Sequence, residues 1–496
     1  MGTGVEELMS YVGIDLGSTN IKVALFNENM EKVTIHTRKV HYIRDDKKIE
    51  FNAENYFQDV VTLLKELNSC NIPIKEITLT GQAESLILLD KDGLPIGNAI
   101  SWMDERSGTE CRELSEQFSE EYCYAVTGQK SIIPTWPATK ILHLAHHEPE
   151  RIARVHSYVL LKDYIAYRLS GELVCDKSIA TFSCYFDIHK GCYWDEMLTA
   201  CGIREDQLPP LMDPGTRLGP LLAKLQLGPV FAHAALNIGT LDHFAGMIGT
   251  GNIEPGIISE STGTVLGIST LANLPLTGKE TAALHFGPFP DSYIFLSVAE
   301  SGGYCLEWYK ERFMADTSLK EIDNLILQRD YPNSMLFLPY IMGVNAPEFD
   351  NSASGVFYGI RADHDRVDFA YAVMEGVTLL LERNISALQQ SKLSFNKIIS
   401  TGGGAKSDLW SQLKADIIGL PVEIPGENEA ACLGAAMMGA VECGDFSDYR
   451  SAVNKCVTIT KRFEPRNMNR YQSKKSGFDI LYEGMIRTAE IMGTNA

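Results

Sequence analysis

The sequence lacks the features that would tie it to a membrane, a metal cluster or a nucleic acid. No uninterrupted apolar run is long enough to span a bilayer. None of the 11 cysteines forms a Cys-x-x-Cys pair, so the chain predicts neither a zinc site nor a disulfide framework. The net charge of −20 argues against a nucleic-acid partner. The first ten residues are acidic and unlike a signal peptide, and we expect a cytoplasmic protein with free thiols.

The length of the chain indicates more than one domain. A chain of 496 residues exceeds one ordinary core, so about two large domains are expected. Short apolar runs alternate with segments of helical periodicity such as 52–68, where Asn52 or Asn55 can cap a helix. This alternation is typical of an α/β fold. Residues 252–256 resemble a linker, and the predicted domains are 11–253 and 257–490.

The opening stretch, 11–26, predicts a β-hairpin with a polar tip. Its turn, Gly17-Ser18-Thr19-Asn20, offers backbone N–H groups and hydroxyls that can bind phosphate oxygens, and Lys22 follows. Asp15 ends the first strand and can hold Mg²⁺ directly or through water, since Mg²⁺ prefers oxygen ligands. Neither the Walker pattern nor Gly-x-Gly-x-x-Gly occurs here. A surface hairpin with a polar tip is the alternative interpretation.

A second stretch, 236–249, places a carboxylate where a strand gives way to a helix. A short strand ends at Gly239-Thr240, and Asp242 stands at the start of a helix of small residues. Asp is a good N-cap, which gives the residue a purely structural interpretation. Such junctions are also where α/β proteins bind ligands, so Asp242 is a candidate functional residue.

The second half of the chain repeats the opening pattern. Residues 257–268 again predict a strand, a turn with Gly263 and Thr264, and a second strand. Residues 397–407 predict a strand, a glycine turn and the start of a helix, where glycines let the backbone approach a flat or anionic ligand. Two phosphate-type turns suggest two similar domains that face one nucleotide.

Polar groups also follow a strand near residue 100. Trp102, Asp104 and Arg106 present an aromatic ring, an acid and a guanidinium together. A surface ion pair beside a buried tryptophan is the alternative interpretation.

The histidines do not predict a metal site. His143, His146, His147 and His189 have no matching acid cluster in the sequence, so we do not expect them to bind a metal.

In their order along the chain, these motifs resemble those of the FGGY family of carbohydrate kinases, which belongs with the actin-like ATPases. Gly13–Thr19 resembles the first phosphate motif of that superfamily, and Ser261–Thr264 resembles the second. Residues 402–422 are similar to the adenosine motif, and Trp102-x-Asp104-x-Arg106 matches a further family element. The resemblance runs from about residue 11 to about residue 445. The hairpin alone is specific only to the superfamily, whereas the ordered set is highly specific.

The resemblance implies two ribonuclease-H-like α/β domains around a central cleft, the first binding sugar and carrying catalysis, the second binding nucleotide. It implies transfer of the γ-phosphoryl group of ATP to a hydroxyl of a sugar or polyol, with closure excluding water. Asp242 matches the general base, and Mg²⁺ near Asp15 would neutralise phosphate charge. The implied phosphate contacts are Gly17, Ser18, Thr19, Lys22, Gly263 and Thr264, and the implied adenosine contacts are Gly403, Gly404, Ala405 and Ser407.

Departures from the family pattern bear on the substrate. After Gly81-Gln82 the xylulokinase type has Met-His and the glycerol-kinase type has Arg-Glu, whereas this chain has Ala83-Glu84. His243 follows the base where many relatives have Asn or Gln, and the loop 343–347 lacks both charges of a Gly-Glu-Arg-x-Pro element. We expect a neutral ketose such as xylulose, or a related polyol, because sugar hydroxyls pair with carboxylates and amides. The expected substrate contacts are Gln82, Glu84, Trp102, Asp104, Arg106 and His243.

A different class of protein shares part of this pattern. An actin-like ATPase that acts as a conformational switch would also need Asp15 and the phosphate turns. It would not need the sugar side, which consists of Trp102, Asp104 and Arg106 together with Asp242, and this favours the kinase. The sequence does not determine the oligomeric state, and it is compatible with a homodimer.

Overall fold

The computed structural model describes residues 9–273, 282–299, 301–329, 334–343 and 353–493. They form two compact units, of which the first contains 9–253, 284–293 and 427–457 and the second contains the remaining described residues. The sequence-based boundaries, 11–253 and 257–490, stay a prediction, and the structure adds the segments 284–293 and 427–457 to the first unit. Most of the loop 343–347 lies outside the described residues.

Strands and helices alternate along the described chain, which confirms the predicted α/β class. The strands are β1 (Ser10–Leu16), β2 (Asn20–Phe26), β3 (Lys32–Lys39), β4 (Ile43–Asp45), β5 (Lys48–Phe51), β6 (Ile74–Gly81), β7 (Leu86–Leu89), β8 (Ala99–Ile100), β9 (Ser157–Leu160), β10 (Cys175–Asp176), β11 (Phe186–Asp187), β12 (Cys192–Tyr193), β13 (Leu211–Met212), β14 (Arg217–Pro220), β15 (Ala235–Leu241), β16 (Ile257–Thr262), β17 (Leu266–Ala272), β18 (Ala283–Phe286), β19 (Tyr293–Ala299), β20 (Leu336–Leu338), β21 (Val356–Tyr358), β22 (Lys397–Gly402), β23 (Val422–Pro425) and β24 (Ile459–Phe463). The helices are α1 (Ala53–Glu66), α2 (Gly108–Gln117), α3 (Glu120–Thr127), α4 (Pro137–His147), α5 (Pro149–Ile152), α6 (Leu161–Ser170), α7 (Lys177–Ala180), α8 (Asp195–Ala200), α9 (Asp242–Thr250), α10 (Tyr304–Phe313), α11 (Leu319–Leu327), α12 (Arg366–Gln390), α13 (Asp408–Ile418), α14 (Ala430–Glu442), α15 (Tyr449–Cys456) and α16 (Gln472–Met492).

The first unit is built on a six-stranded sheet in the order β14-β15-β6-β1-β2-β3. β1 and β2 form the predicted antiparallel hairpin, and β1, β6 and β15 run parallel as neighbours. Leu16 lies opposite Gly81, and Gly81 lies opposite Leu241. The carboxyl ends of these three strands therefore meet at one edge of the sheet, where parallel α/β sheets bind ligands.

Local sequence explains the elements that cover this sheet. α1 begins where the side chain of Asn52 accepts the N–H of Asn55 at 2.8 Å, and it buries Tyr56 among its apolar residues. The small residues of α9 and α14 allow those two helices to pack closely. A Cβ atom at Gly434 would lie 1.8 Å from the carbonyl oxygen of Ala245, so only glycine fits there.

The second unit repeats the hairpin and its parallel neighbour. β16 pairs antiparallel with β17, and β22 lies parallel on the other side of β16. This is the arrangement of β2, β1 and β6 in the first unit, as the repeated sequence pattern predicts. β23 and β24 extend the sheet beyond β22. No helix in the described part of the chain is long and apolar enough to cross a membrane.

Candidate active site

Two carboxylates and an amide stand at the shared edge of β1, β6 and β15. Asp15 is the next-to-last residue of β1, while Gln82 and Asp242 directly follow β6 and β15. The N–H of Gln82 donates to the carbonyl of Leu16 at 3.2 Å, which ties the first two strand ends together. The structure thus brings the predicted metal ligand, a predicted sugar contact and the predicted base to one edge.

Asp15 has a buried oxygen without a protein partner. Its Oδ1 atom accepts no hydrogen bond from the described residues. Burial and the charge of Asp242 raise the pKa of the Asp15 carboxyl to about 7, although Lys22 acts in the opposite direction. Lys22 itself is paired with Glu429, whose Oε2 lies 2.6 Å from Nζ. An uncompensated buried carboxylate beside a second acid is the environment that a cation would stabilise.

Hydrogen bonds from two neighbouring elements hold the backbone of the turn after Asp15. The buried hydroxyl of Tyr56 donates to the carbonyl of Gly17 at 3.0 Å, and the N–H of Val40 donates to the carbonyl of Thr19 at 2.9 Å. Ser18 is half-buried and Thr19 is exposed. These contacts fix the backbone of the turn before any ligand binds, which lowers the entropic cost of binding.

Asp242 begins α9 and keeps access to solvent. Its Oδ1 accepts the N–H of His243 at 2.6 Å, and the carboxylate is half-buried while His243 is exposed. β15 bulges before it reaches Asp242, with Gly239 at a φ of 62°. A Cβ atom at Gly239 would lie 1.7 Å from the carbonyl oxygen of Leu79, so the bulge requires glycine.

A buried polar network supports the strand end that carries Asp242. Ser178 Oγ lies 2.8 Å from Thr240 Oγ1 and accepts the N–H of Leu241 at 3.1 Å. Asp176 accepts the N–H of Ser178 at 3.0 Å and pairs with Lys162, which is fully buried. Because removing one member would leave buried polar groups unpaired, this network holds β15 in one position.

Three predicted sugar contacts lie on two connected loops, with Gln82 and Glu84 on the loop after β6 and Trp102 on the loop after β8. Ser85 Oγ donates to Gln82 Oε1 at 3.0 Å and accepts the backbone N–H of Trp102 at 3.1 Å. Gln82 Nε2 is buried without a hydrogen-bond partner among the described residues, and Trp102 is 38% exposed. An unused buried donor and an open aromatic face are groups that a polyhydroxyl ligand can engage.

Glu84 lies on the loop after β6, together with Gln82, and its backbone is strained. Its φ of 65° is in the left-handed region, and its Oε2 atom is buried without a partner among the described residues. Burial raises the pKa of Glu84 to about 7, and the charge of Lys140 opposes this shift. Lys140 is fully buried and donates from Nζ to the carbonyls of Ser101 at 2.8 Å and Glu84 at 3.3 Å. Strain of this kind persists where the surrounding structure enforces it, as at functional sites.

Asp104 and Arg106 bind each other and the adjacent segment 49–50. Asp104 is fully buried and accepts Arg106 Nε at 2.9 Å and the N–H of Ile49 at 2.6 Å. Arg106 also contacts Glu50 Oε1 at 2.6 Å. The two predicted sugar contacts therefore have protein partners in this structure, and they brace the loop that presents Trp102.

In the second unit, Gly263 and Thr264 form the turn between β16 and β17. Their carbonyls accept the N–H groups of Gly303 at 2.7 Å and Gly302 at 3.2 Å, just before α10 begins. Gly402, which ends β22, lies opposite Thr262 in the parallel register. The second phosphate-type turn and the glycine turn are thus neighbours within this unit.

The glycine turn leads into α13. Gly403 precedes a single helical turn, Gly404–Lys406, in which Gly404 and Ala405 are buried. Ser407 then caps α13, because its Oγ accepts the N–H of Trp410 at 3.0 Å. All four predicted adenosine contacts lie on this one short connection.

A buried ion pair between Lys414 and Glu260 connects the strands β16 and β22, which lead into these two turns. Lys414 donates to Glu260 Oε2 at 2.7 Å and to Thr262 Oγ1 at 2.8 Å, and Glu260 also accepts Ser400 Oγ at 2.5 Å. Lys414 and Glu260 are both buried. Their role parallels that of Lys162 and Asp176 in the first unit.

Three residues of the candidate site carry no recognisable sequence signal. Tyr56 belongs to the apolar periodicity of α1, and Lys140 is a single lysine on an amphipathic helix. Glu429 precedes α14 more than 400 residues after its partner Lys22. Only tertiary structure reveals that these side chains hold the turn, the Glu84 loop and Lys22.

Similarity to known proteins agrees with this architecture. The model of the N-terminal domain of the FGGY family of carbohydrate kinases matches residues 10–249, and that of its C-terminal domain matches residues 262–443. Xylulose kinase of Bacillus subtilis (strain 168) is 30% identical over 487 residues, which cover 95% of this chain and 96% of that protein. Gluconokinase of the same strain is 28% identical over 479 residues, with 92% of each chain covered.

Solved structures show the same fold. The crystal structure of ligand-bound xylulose kinase from Lactobacillus acidophilus matches with a TM-score of 0.88 at 23% identity, covering 98% of this chain and 99% of that one. Fold and sequence together define a kinase of the actin-like ATPase type that phosphorylates a sugar or polyol. The chain belongs to the FGGY family of carbohydrate kinases, which uses ATP. The predicted family, fold and enzyme class are confirmed, and the alternative of an ATPase switch is not favoured.

Proposed function

We propose that this kinase transfers the γ-phosphoryl group of ATP to a hydroxyl of a neutral ketose such as xylulose, or of a related polyol. The observation that carries the proposal is the shared sheet edge, where Asp15 lies at the end of β1 and where Gln82 and Asp242 directly follow the adjacent strands β6 and β15. The relatives named xylulose kinase support the ketose as the substrate class. In this proposal residues 11–253 bind the sugar and carry catalysis, and residues 257–490 bind the nucleotide.

Asp242 acts as the general base. The N–H of His243 orients the carboxylate through Oδ1, which leaves Oδ2 for the attacking hydroxyl. The transition state of phosphoryl transfer is loose, so the hydroxyl need not lose its proton early, and a positioned carboxylate suffices. The network of Ser178, Asp176 and Lys162 keeps this base in place.

Asp15 holds Mg²⁺, directly or through water. Its partnerless Oδ1 and the neighbouring charge of Asp242 supply the oxygen atoms and negative potential that this ion requires. When bound, Mg²⁺ would neutralise charge on the β- and γ-phosphates. Gly17, Ser18, Thr19 and Lys22 in the first unit, and Gly263 and Thr264 in the second, are the phosphate contacts. Gly403, Gly404, Ala405 and Ser407 are the adenosine contacts.

The charges around the sugar loops favour a neutral substrate. Lys22, Lys140 and Arg106 are each engaged with protein oxygens. A sugar acid would bring its carboxylate towards Glu84 and Asp242, and Lys140 and Lys22 would offset the resulting repulsion only in part, since like charges at close range are costly. Glu84 and Gln82 bind hydroxyls, Trp102 covers the carbon skeleton, and Asp104 and Arg106 position that ring. His243, exposed beside the base, is the remaining proposed contact.

A substrate panel tests the proposal. An assay coupled to ADP release is run with polyols, ketopentoses, ketohexoses and gluconate, each compared with ATP alone. We expect a neutral ketose or polyol to raise ADP release well above the rate with water. A rate that no panel member raises would contradict the kinase assignment, and a response to gluconate alone would contradict the neutral substrate.

A further inference from the structure

Two helices of the first unit bring together a carboxylate and two imidazoles away from the candidate active site. Glu110 lies on α2, while His143 and His147 lie four residues apart on α4 and face it. The expectation that these histidines lack an acidic partner is wrong. Glu110 is 33 residues before His143 in the sequence, and only the packing of α2 against α4 brings them together.

The three groups hydrogen-bond to one another in this structure and lie close enough together to share one metal ion. His143 Nδ1 lies 3.0 Å from Glu110 Oε2, and His147 Nε2 lies 3.2 Å from Glu110 Oε1. One ligand atom from each residue lies within 4.8 Å of the other two. Bonds of about 2.0–2.1 Å in a tetrahedral zinc site place neighbouring ligand atoms roughly 3.3 Å apart. Small side-chain movements would therefore admit an ion between them.

We propose that Glu110, His143 and His147 bind a divalent transition-metal ion of the zinc type. Two imidazoles and one carboxylate are a ligand set that suits Zn²⁺ with water in the fourth position, whereas Mg²⁺ and Ca²⁺ need more oxygen atoms. The Glu110 side chain is 1% exposed and the His147 side chain is 58% exposed. The carboxylate thus anchors the site, and the outer histidine opens it to solvent.

The bound ion would clamp α4 to α2. Lys140, which holds the carbonyls of Glu84 and Ser101, lies three residues before His143 on α4. A metal at this position therefore steadies the helix that supports the sugar loops, without taking part in phosphoryl transfer. His146 Nδ1 lies 3.6 Å from Glu110 Oε1 and 3.9 Å from Glu113 Oε2, at the margin of the site.

Direct binding measurements test the site without any kinase assay. The full-length protein is stripped with a chelator, and Zn²⁺ is titrated by calorimetry into wild type, Glu110→Gln, His147→Ala and the control His189→Ala. His189 is exposed and lies outside the cluster. We expect one ion per chain for wild type and the control. Each ligand variant should bind more than about 100-fold more weakly, since even the loss of an outer-shell partner costs 10–100-fold.

Two further readouts make the result decisive. Co²⁺ should give the visible absorption of a site of low coordination number in wild type and not in His147→Ala. Zn²⁺ should raise the melting temperature of wild type and leave that of His147→Ala unchanged. Because His147 is largely exposed, its replacement is expected to fold, and circular dichroism checks this. Zn²⁺ binding of equal strength in wild type and both ligand variants, or no binding at all, would overturn the proposal.

Discussion

Burial and the negative charge of Asp242 together raise the pKa of Asp15 to about 7, so these two carboxylates repel each other at the edge of the first sheet. The register of β1, β6 and β15 places both residues at this edge. Like charges at close range destabilise each other unless a cation intervenes. The proposed Mg²⁺ would therefore stabilise the protein as well as the bound nucleotide, because it would relieve this repulsion.

The first prediction concerns Asp15→Asn, which keeps the shape of the side chain and removes its charge. We expect the Mg²⁺ concentration for half-maximal rate to rise about 10–100-fold, the range for losing a group that supports a metal. Added Mg²⁺ should restore the rate only in part. Asp45→Asn, an exposed position on β4, serves as the control. A Mg²⁺ dependence like that of wild type would show that Asp15 is structural.

The second prediction concerns Glu84→Ala and substrate choice. The buried Oε2 of Glu84 has no protein partner among the described residues, so a sugar hydroxyl is its proposed partner. Removing one side of such a pair costs about 1–3 kcal/mol, and we expect kcat/KM for the best sugar to fall about tenfold or more.

Two rates measured on the same Glu84→Ala protein separate a sugar contact from general damage. The rate of ATP hydrolysis without sugar should stay close to that of wild type, and Glu116→Gln, at an exposed position of α2, should change neither rate. Equal losses in both rates would point to damaged folding or nucleotide binding. No loss in either rate would remove Glu84 from the sugar site.

The third prediction concerns the pH dependence of stability. Asp163 is buried in the first turn of α6, where its Oδ2 accepts the N–H of Leu160 at 3.0 Å, and burial raises its pKa from 3.8 to about 7. A folded-state pKa above the unfolded value means that the stability present at low pH is lost as the pH rises towards 7. Asp163→Asn cannot ionise and escapes this loss.

Denaturant unfolding of wild type and Asp163→Asn at about pH 5 and about pH 8 measures the effect. The difference in unfolding free energy should move in favour of the variant by roughly 2–3 kcal/mol between these two values. Asp92→Asn, at an exposed turn, is the control and should show no such change. A difference that does not depend on pH would contradict the raised pKa of Asp163.

Features encoded by short stretches of sequence could be predicted. The periodicity of 52–68, with Asn52 or Asn55 as its cap, predicts α1 to within two residues at its carboxyl end, and the structure shows that Asn52 is the cap. The strand, turn and strand at 257–268 predict β16 and β17 in the same way. Asp242 could be proposed because it stands where a strand gives way to a helix of small residues and because it matches the general base of the family that the motifs resemble. Each of these signals is local, and local propensity reflects the fold most directly.

Contacts between distant segments could not be predicted. The sequence offered Asp104 and Arg106 either as substrate contacts or as an ion pair, and nothing in it indicated that Glu50 and Ile49 would engage them. Glu110 likewise stands alone in the sequence, and its two histidine partners come from a different helix. Such pairs arise from tertiary packing. No local pattern in a single sequence links the two segments, so the pairs cannot be predicted from it.

Asp242 is proposed as the base of a sugar kinase, and the turnover of Asp242→Asn with the best ketose or polyol measures that role. We expect kcat to fall roughly 10²–10⁴-fold, the usual contribution of a general base, with ATP affinity nearly unchanged. Asp213→Asn, at an exposed loop of the same unit, should retain the wild-type rate. Turnover of Asp242→Asn close to that of wild type would show that Asp242 is not the base.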